Sequence, residues 1–256
     1  MSMSIEPATS KLLRRLSDWQ PLSTDESRAL EAAASAVRLH RPHEDLVREG
    51  ASASHIGLLL SGFAYACRVL PDGRRQIVSY LIPGDLCDSR QLLLPVAPHT
   101  ISTLTAANVV LFGRDALLDV ISRHPRVGQA LCWLALQEEM IAREWLVNVG
   151  QRTALERLAH LLCEIFTRMQ MVGLTDGGRC ELPLTQVELA DTLALSTVHV
   201  NRTLQELRRQ GLVSLSSGLL EIHDWAALQS VAMFTPNYLQ PGRERSERPR
   251  RRSAQP

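Results

Sequence analysis

Helical spacing of apolar residues characterises the beginning of the chain. Residues 11–19 and 25–38 carry apolar side chains at intervals of three and four, which places them on one face of a helix. The sequence Ser-Thr-Asp-Glu at residues 23–26 is typical of a helix N-cap. The pattern therefore predicts two helices, and the stripe of the second consists of Leu30, Ala33, Ala34 and Val37.

Short apolar runs follow from about residue 40. Most of them end at a turn signal that contains glycine or proline, such as Ser61-Gly62 and Pro83-Gly84-Asp85. Short strands spaced by about ten residues predict a small all-β roll or barrel. The runs lie at residues 46–47, 56–60, 65–70, 76–82, 101–104 and 109–112.

Turn signals are rare for almost 50 positions after residue 125. Apolar residues recur there at steps of four and three, which predicts a long helix, and part of its stripe is expected to meet a second copy of the chain. The alternative is two helices broken near Gly150, the second over residues 152–171. Residues 172–178 predict a loop. The stripe contains Val127, Leu131, Leu134, Glu138, Ile141, Trp145 and Asn148.

The densest signal lies between residues 184 and 222. Residues 185–193 predict a short amphipathic helix, and Ser196 is a suitable N-cap for a second helix over residues 197–209. So tight a connection predicts a helix-turn-helix. After Gly211, a run interrupted at residues 216–218 predicts a hairpin wing, which makes the unit a winged helix-turn-helix. The second helix turns inward Val200, Leu204 and Leu207.

This unit has the chemistry to read DNA. The first residues of a recognition helix enter the major groove, where Arg202 can donate two parallel hydrogen bonds to a guanine. Charge argues the other way, because residues 183–240 hold three arginines and five acids. Dimerisation, helix dipoles or a basic tail would have to supply affinity. Our candidate DNA-binding residues are Gln186, Ser196, Thr197, Val198, His199 and Arg202.

Composition excludes several classes. Of the 256 residues, 45% are hydrophobic and 21% charged, and no apolar run reaches the length of a membrane span. The first ten residues do not resemble a secretory signal, so we expect a cytoplasmic protein that does not bind membranes. Five scattered cysteines without a C-x-x-C pair predict free thiols and no metal site.

The basic charge is concentrated at the end of the chain. Residues 241–256 hold six arginines against two glutamates, a net charge of +4, whereas the whole chain carries +1. The segment has hardly any apolar residue and predicts a disordered arm. It is either a source of affinity for DNA phosphates or a solvated terminus without a role.

The arrangement resembles the Crp/Fnr family of bacterial transcription regulators over roughly residues 20–235. The resemblance implies an α+β fold with a cyclic-nucleotide-binding-like jelly roll, a long dimerisation helix and a winged helix-turn-helix. It also implies a homodimer on an inverted repeat of double-stranded DNA, with RNA polymerase as a further partner of activators. Arg202 matches the family's guanine-reading arginine, but Val198 stands where many members have glutamate. The expected divisions are residues 1–124, 125–172, 173–240 and 241–256.

The family's ligand motifs do not match. Its cyclic-nucleotide binders carry Gly-Glu and later Arg-Ser, where this chain has Asp88-Ser89 and Ala97-Pro98. The iron–sulfur members need an amino-terminal cysteine cluster, but the first cysteine here is Cys67. We expect no cofactor, and the effector, if one exists, is unknown. Weaker alternatives are a haem at His40, His43, Cys67, Cys87 or His99, and an anion pocket at Arg68, Arg74 and Arg75, of which the last two are expected to face solvent.

Two other classes of function compete. An enzyme is not expected, because the chain has no Gly-rich phosphate loop, G-x-S-x-G elbow or H-E-x-x-H motif. The other class is a ligand- or partner-binding module whose winged helix contacts protein. The leading hypothesis is a sequence-specific regulator with recognition helix 197–209 in the major groove.

Overall fold

The computed structural model describes residues 5–17, 19–52 and 54–240, so the basic segment 241–256 lies outside the described residues. None of the helices in these ranges is long and apolar enough to cross a membrane. In chain order the elements are α1 (Ile5–Ser17), α2 (Thr24–Ala32), β1 (Ala34–His40), β2 (Asp45–Val47), β3 (His55–Ser61), β4 (Ala64–Val69), β5 (Arg75–Leu81), β6 (Leu86–Cys87), β7 (Thr100–Thr103), β8 (Ala107–Gly113), α3 (Arg114–Arg123), α4 (Pro125–Gln151), α5 (Ala154–Met171), β9 (Thr175–Asp176), β10 (Arg179–Glu181), α6 (Gln186–Leu193), α7 (Thr197–Arg209), β11 (Val213–Ser216), β12 (Leu219–Ile222) and α8 (Trp225–Ala232).

Two four-stranded antiparallel sheets form the predicted roll. Their strand orders are β1-β8-β3-β6 and β2-β7-β4-β5. Side chains of β3 alternate between two cores: Leu58 packs outward under the helices, and Leu59 packs into the roll. Because both faces are buried, the strand reads as a continuous apolar run. The α+β fold with a β-roll is therefore confirmed.

The second predicted helix is too long. Helix α2 ends at Ala32, and residues 34–40 form β1, which pairs with β8 along its length. The apolar spacing at Ala33, Ala34 and Val37 suits a helix, but the backbone pairing with β8 outweighs this local preference. The prediction of a helix over residues 25–38 was therefore wrong beyond residue 32.

The long helical region is two helices, as the alternative prediction had it. Helix α4 has 27 residues and ends at Gln151, and α5 begins after Thr153. Thr153 accepts a hydrogen bond from the Glu156 backbone, and the Glu156 carboxylate accepts one from the Thr153 backbone at 2.7 Å. This capping box starts a new helix and explains the break.

The predicted apolar stripe of α4 packs within its own chain. Val127, Leu131 and Leu134 lie against the outer face of the roll, and Ile141 and Trp145 lie in a second core with α5. A different face of α4 is left exposed, at intervals of three and four residues. Its members are Cys132, Leu136, Glu139, Arg143, Leu146 and Gly150. The expectation that the first stripe meets a second copy was therefore wrong.

The carboxyl-terminal unit packs on α5. Helices α6 and α7 and the hairpin β11–β12 form the predicted winged helix-turn-helix, with α8 behind α5. Its sheet has the order β11-β12-β10-β9, so the predicted loop at residues 172–178 includes the strand β9. This unit shares one core with the roll, because Tyr80 and Ile77 of β5 belong to the same buried cluster as Leu189 and Leu207.

Candidate nucleic-acid interface

The turn between α6 and α7 is built by local signals. Thr185 caps α6 in a capping box with Glu188. Ala194 has a φ of 53°, the left-handed conformation that ends α6, and the Ser196 hydroxyl accepts a hydrogen bond from the His199 backbone at 3.2 Å. These caps fix where α7 begins, so they also decide which side chains its first turn presents.

Most of the candidate DNA-binding residues lie together on the outer face of α7. Val200, Leu204 and Leu207 point into the core, as predicted. The opposite face is open to solvent, and Val198 is 68% exposed. The exposed candidates in the cap and first turns are Ser196, Thr197, Val198, His199 and Arg202. The helix thus presents one small cluster at its amino-terminal end, where its dipole also favours phosphate.

Arg202 is the arginine of α7 that remains available. Among the described residues it makes no hydrogen bond or ion pair. Arg208 instead donates to the Leu215 carbonyl of the wing, and Arg209 pairs with Glu206 at 2.6 Å. Because its guanidinium fork is unengaged and exposed, Arg202 can donate both parallel hydrogen bonds to a guanine.

A cleft of about 200 Å³ extends this surface towards the wing. Gln186, the first residue of α6, lines it together with Asn201 of α7 and the wing turn at residues 216–218. Gln186 therefore lies on the same side as the α7 cluster. Asn201 was not among the candidates, although its position one residue before Arg202 was a signal in the sequence.

The acidic residues of this unit are bound in structural contacts. Hydrogen bonds from Arg209 lower the pKa of Glu206 to about 2. Glu221 pairs with Arg179 at 2.6 Å, and Asp191 pairs with Arg75 at 2.7 Å. Glu188 bonds the N-cap residue of α6, and Asp224 is the N-cap of α8. The acidic side chains therefore do not lie free on the recognition face, and the net negative charge of residues 183–240 does not argue against DNA binding.

Strand β5 of the roll contacts α6 directly. Arg75 forms an ion pair with Asp191, so the expectation that Arg75 faces solvent was wrong. Arg74 pairs with Asp72 and is exposed, as expected. The Tyr80 hydroxyl lies 2.6 Å from the Thr192 hydroxyl. These contacts join the roll to the first helix of the helix-turn-helix. They are pairings between residues over 100 positions apart, so no local pattern predicts them.

Comparison with known proteins shows what this arrangement belongs to. The Crp-like helix-turn-helix domain matches residues 156–231, and the cyclic nucleotide-binding domain matches residues 37–124. The transcriptional activator protein FnrL of Cereibacter sphaeroides is 30% identical over 70% of this chain and 72% of its own length. The chain belongs to the Crp/Fnr family.

Further matches agree with this assignment. The transcriptional activatory protein AadR of Rhodopseudomonas palustris is 30% identical over 72% of this Crp/Fnr chain and 75% of AadR. The structure of FixK2 from Bradyrhizobium japonicum aligns with a TM-score of 0.71 over 79% of this chain and 98% of that chain, at 24% identity, which shows a shared fold. The predicted family and the predicted role as a DNA-binding transcription regulator are confirmed.

The residues of this Crp/Fnr roll do not fit a cyclic nucleotide. Asp88 occupies the family's ligand segment, and its buried carboxylate accepts hydrogen bonds from Arg90 Nε at 2.7 Å and Gln91 Nε2 at 3.0 Å. The nearest candidate arginine for a phosphate is therefore already paired. An anionic phosphate beside this carboxylate would be repelled and left without its own cation.

Proposed function

We propose that this regulator binds DNA as a homodimer, with α7 of each subunit in successive major grooves of an inverted repeat. The observation that carries the proposal is the exposed, unpaired guanidinium of Arg202 at the outer face of α7. A bidentate contact to guanine contributes about 1–3 kcal/mol of discrimination against other bases. Gln186, Ser196, Thr197 and His199 surround it and bind neighbouring bases or phosphates.

The exposed face of α4 supports a dimer. Leu136 is 56% and Leu146 75% exposed, and both lie on the stripe that repeats every three and four residues. Such a stripe is the seam of a two-helix coiled coil, and a second copy of α4 would cover it. Glu139 and Arg143 lie between the two leucines and pair with each other along the same helix. The dimer then carries two recognition helices related by a two-fold axis.

The DNA-binding proposal is tested by selection from a random duplex pool, followed by affinity measurements on the selected site. We expect an inverted repeat with half-sites about one helical turn apart. Arg202→Ala should lose about 1–3 kcal/mol at one base pair of each half-site. The control Arg209→Ala removes the same charge from the same helix and should leave base preference unchanged. An unaltered preference in Arg202→Ala would overturn this role.

The dimer is tested by disulfide trapping. All five cysteines are free, but only Cys132 is exposed, and it lies on the proposed seam. In a parallel dimer through α4, the two copies of Cys132 face each other, so mild oxidation should give a covalent dimer that Cys132→Ser abolishes. Leu136→Glu with Leu146→Glu should give a monomer by light scattering. If the protein with both glutamate substitutions remains a dimer under reducing conditions, the interface lies elsewhere.

A winged helix that contacts protein is the competing function. It predicts that no DNA sequence is enriched and that Arg202→Ala leaves the partner bound. A regulator of chromosomal DNA acts in the cytoplasm, and an activator also contacts RNA polymerase. Transcription in vitro from the selected site, with purified polymerase, measures both the sign of regulation and this contact.

A further inference from the structure

A cavity of about 320 Å³ lies between the roll and α4. Its walls include Val78, Tyr80 and Ile101 of the roll and Ile141 of α4. Pockets that hold small molecules measure about 300–1,000 Å³ and are mainly apolar with a few polar groups, so this cavity suits a small ligand.

Most charged groups of the cavity are bound to one another. Arg168 bonds Asp85 at 2.8 Å, and Arg15 also pairs with Asp85. Arg90 bonds Asp88 at 2.7 Å. Outside these pairs, the carboxylate of Glu139 is held by Arg143 on the exposed side of α4. These contacts neutralise every arginine that lines the cavity.

Glu138 is the exception. It lies on α4 with its side chain in the cavity, and it makes no hydrogen bond or ion pair within the described part of the chain. Burial raises the pKa of its carboxyl, and the charges of Arg15 and Arg90 offset this only in part. His99 also lines the cavity, and burial lowers its pKa, so it carries no charge at neutral pH. A half-buried carboxylate without donors is costly unless a ligand supplies them.

We propose that this cavity binds a small organic amine, with the apolar body against Val78, Ile101 and Ile141 and the ammonium group on the Glu138 carboxylate. The positive charge of the ammonium group would pair with the Glu138 carboxylate, which has no partner of its own among the apolar residues of the cavity. It also sets this chain apart from a phosphate-binding roll, because an anionic ligand would meet the same carboxylate as a repulsive charge. The proposal is independent of how α7 reads DNA.

The test is ligand binding by saturation-transfer NMR on the purified full-length protein, without DNA. The probes are the amines benzylamine, phenethylamine and tryptamine, the anionic counterpart phenylacetate, and cyclic AMP. We expect phenethylamine to bind, and the two anions to show no transfer. Glu138→Gln should raise the dissociation constant of phenethylamine at least about tenfold, through loss of a charge-assisted hydrogen bond. Binding should also weaken as the pH falls and Glu138 takes up a proton.

Glu139→Gln is the matched control. It removes a carboxylate at the next position of the same helix, but that carboxylate already pairs with Arg143. Phenethylamine binding should be unchanged in this variant. The proposal is overturned if benzylamine, phenethylamine and tryptamine all fail to bind, if either anion binds more tightly, or if Glu138→Gln binds the amine as well as the original protein.

Discussion

The winged helix and the cavity beside the roll distribute their charges in opposite ways. In the winged helix the acids are bonded, and among the described residues Arg202 is left exposed and unpaired. In the cavity the arginines are bonded, and Glu138 is left unpaired. An unengaged charge attracts a ligand of the opposite sign. On the two proposals made above, Arg202 meets the phosphates and guanines of DNA, and Glu138 meets a cation.

This contrast requires that the paired arginines of the cavity stabilise the fold and are not available to a ligand. Arg168 is buried and donates to the Tyr80 carbonyl and to Asp85, each at 2.8 Å. Arg168 also lies 3.7 Å from the carboxylate of Glu164, which is fully buried and accepts hydrogen bonds from Trp145 and Tyr238. Removing one member of such a buried network leaves a charge uncompensated.

We therefore expect Arg168→Leu to lower the free energy of unfolding by about 3–5 kcal/mol in urea denaturation. Arg123→Leu is the control, because Arg123 pairs with Asp119 on the surface, where such pairs contribute at most about 1 kcal/mol. If both variants lose equally little free energy of unfolding, the arginines of the cavity do not stabilise the fold. Glu138 is then not the one charged group of the cavity that is free for a ligand.

The winged helix offers a sharper test at Val198. This side chain is exposed four residues before Arg202, and an apolar group in the major groove contacts the methyl group of thymine. We expect Val198→Glu to move the preferred base from thymine to cytosine, whose amino group donates to a carboxylate, with a discrimination of about 1–3 kcal/mol. Competition binding against operators that differ at this one position measures the change.

Val187→Glu is the matched control for that change. Val187 is an exposed valine of α6, 52% accessible, and lies one residue after Gln186. An added acid there should weaken binding to all sequences alike, through repulsion of phosphates, and leave the order of preferred bases as it was. A thymine preference that persists in Val198→Glu would mean that this position does not face the bases.

The recognition unit could be predicted from the sequence almost to the residue. Ser196, Gly211 and the wing turn at residues 216–218 are local signals, and the structure uses each of them where it was expected. The break between α4 and α5 also has a local signal, the Thr153-x-x-Glu156 capping box.

The cavity could not be predicted in this way. Its unpaired carboxylate becomes visible only when each neighbouring charge has been assigned a partner, and Asp85 has partners that lie far from it in the chain. Arg168 is 83 residues from Asp85, and Arg15 reaches the same carboxylate from α1. Periodicity placed Glu138 on the inner stripe of a long helix, but it gave no information about which charges would face it. The strand β1 was missed for the same reason, because its partner β8 is distant in sequence.

The smallest expected effect concerns a bonded acid of the winged helix. Hydrogen bonds from Arg209 and Gln210 hold the pKa of Glu206 at about 2, below its ordinary value of 4.5. A carboxyl with a lowered pKa in the folded state stabilises the fold above pH 4.5, and this contribution is lost as the pH falls towards 2. In urea denaturation, Glu206→Gln should therefore be less stable than the original protein at neutral pH, and the difference should shrink on acidification. Because Glu206 is partly exposed to solvent, added salt should reduce the difference too. A difference that is independent of pH would mean that Glu206 contributes packing rather than charge, and that the acids of the winged helix are not neutralised by pairing.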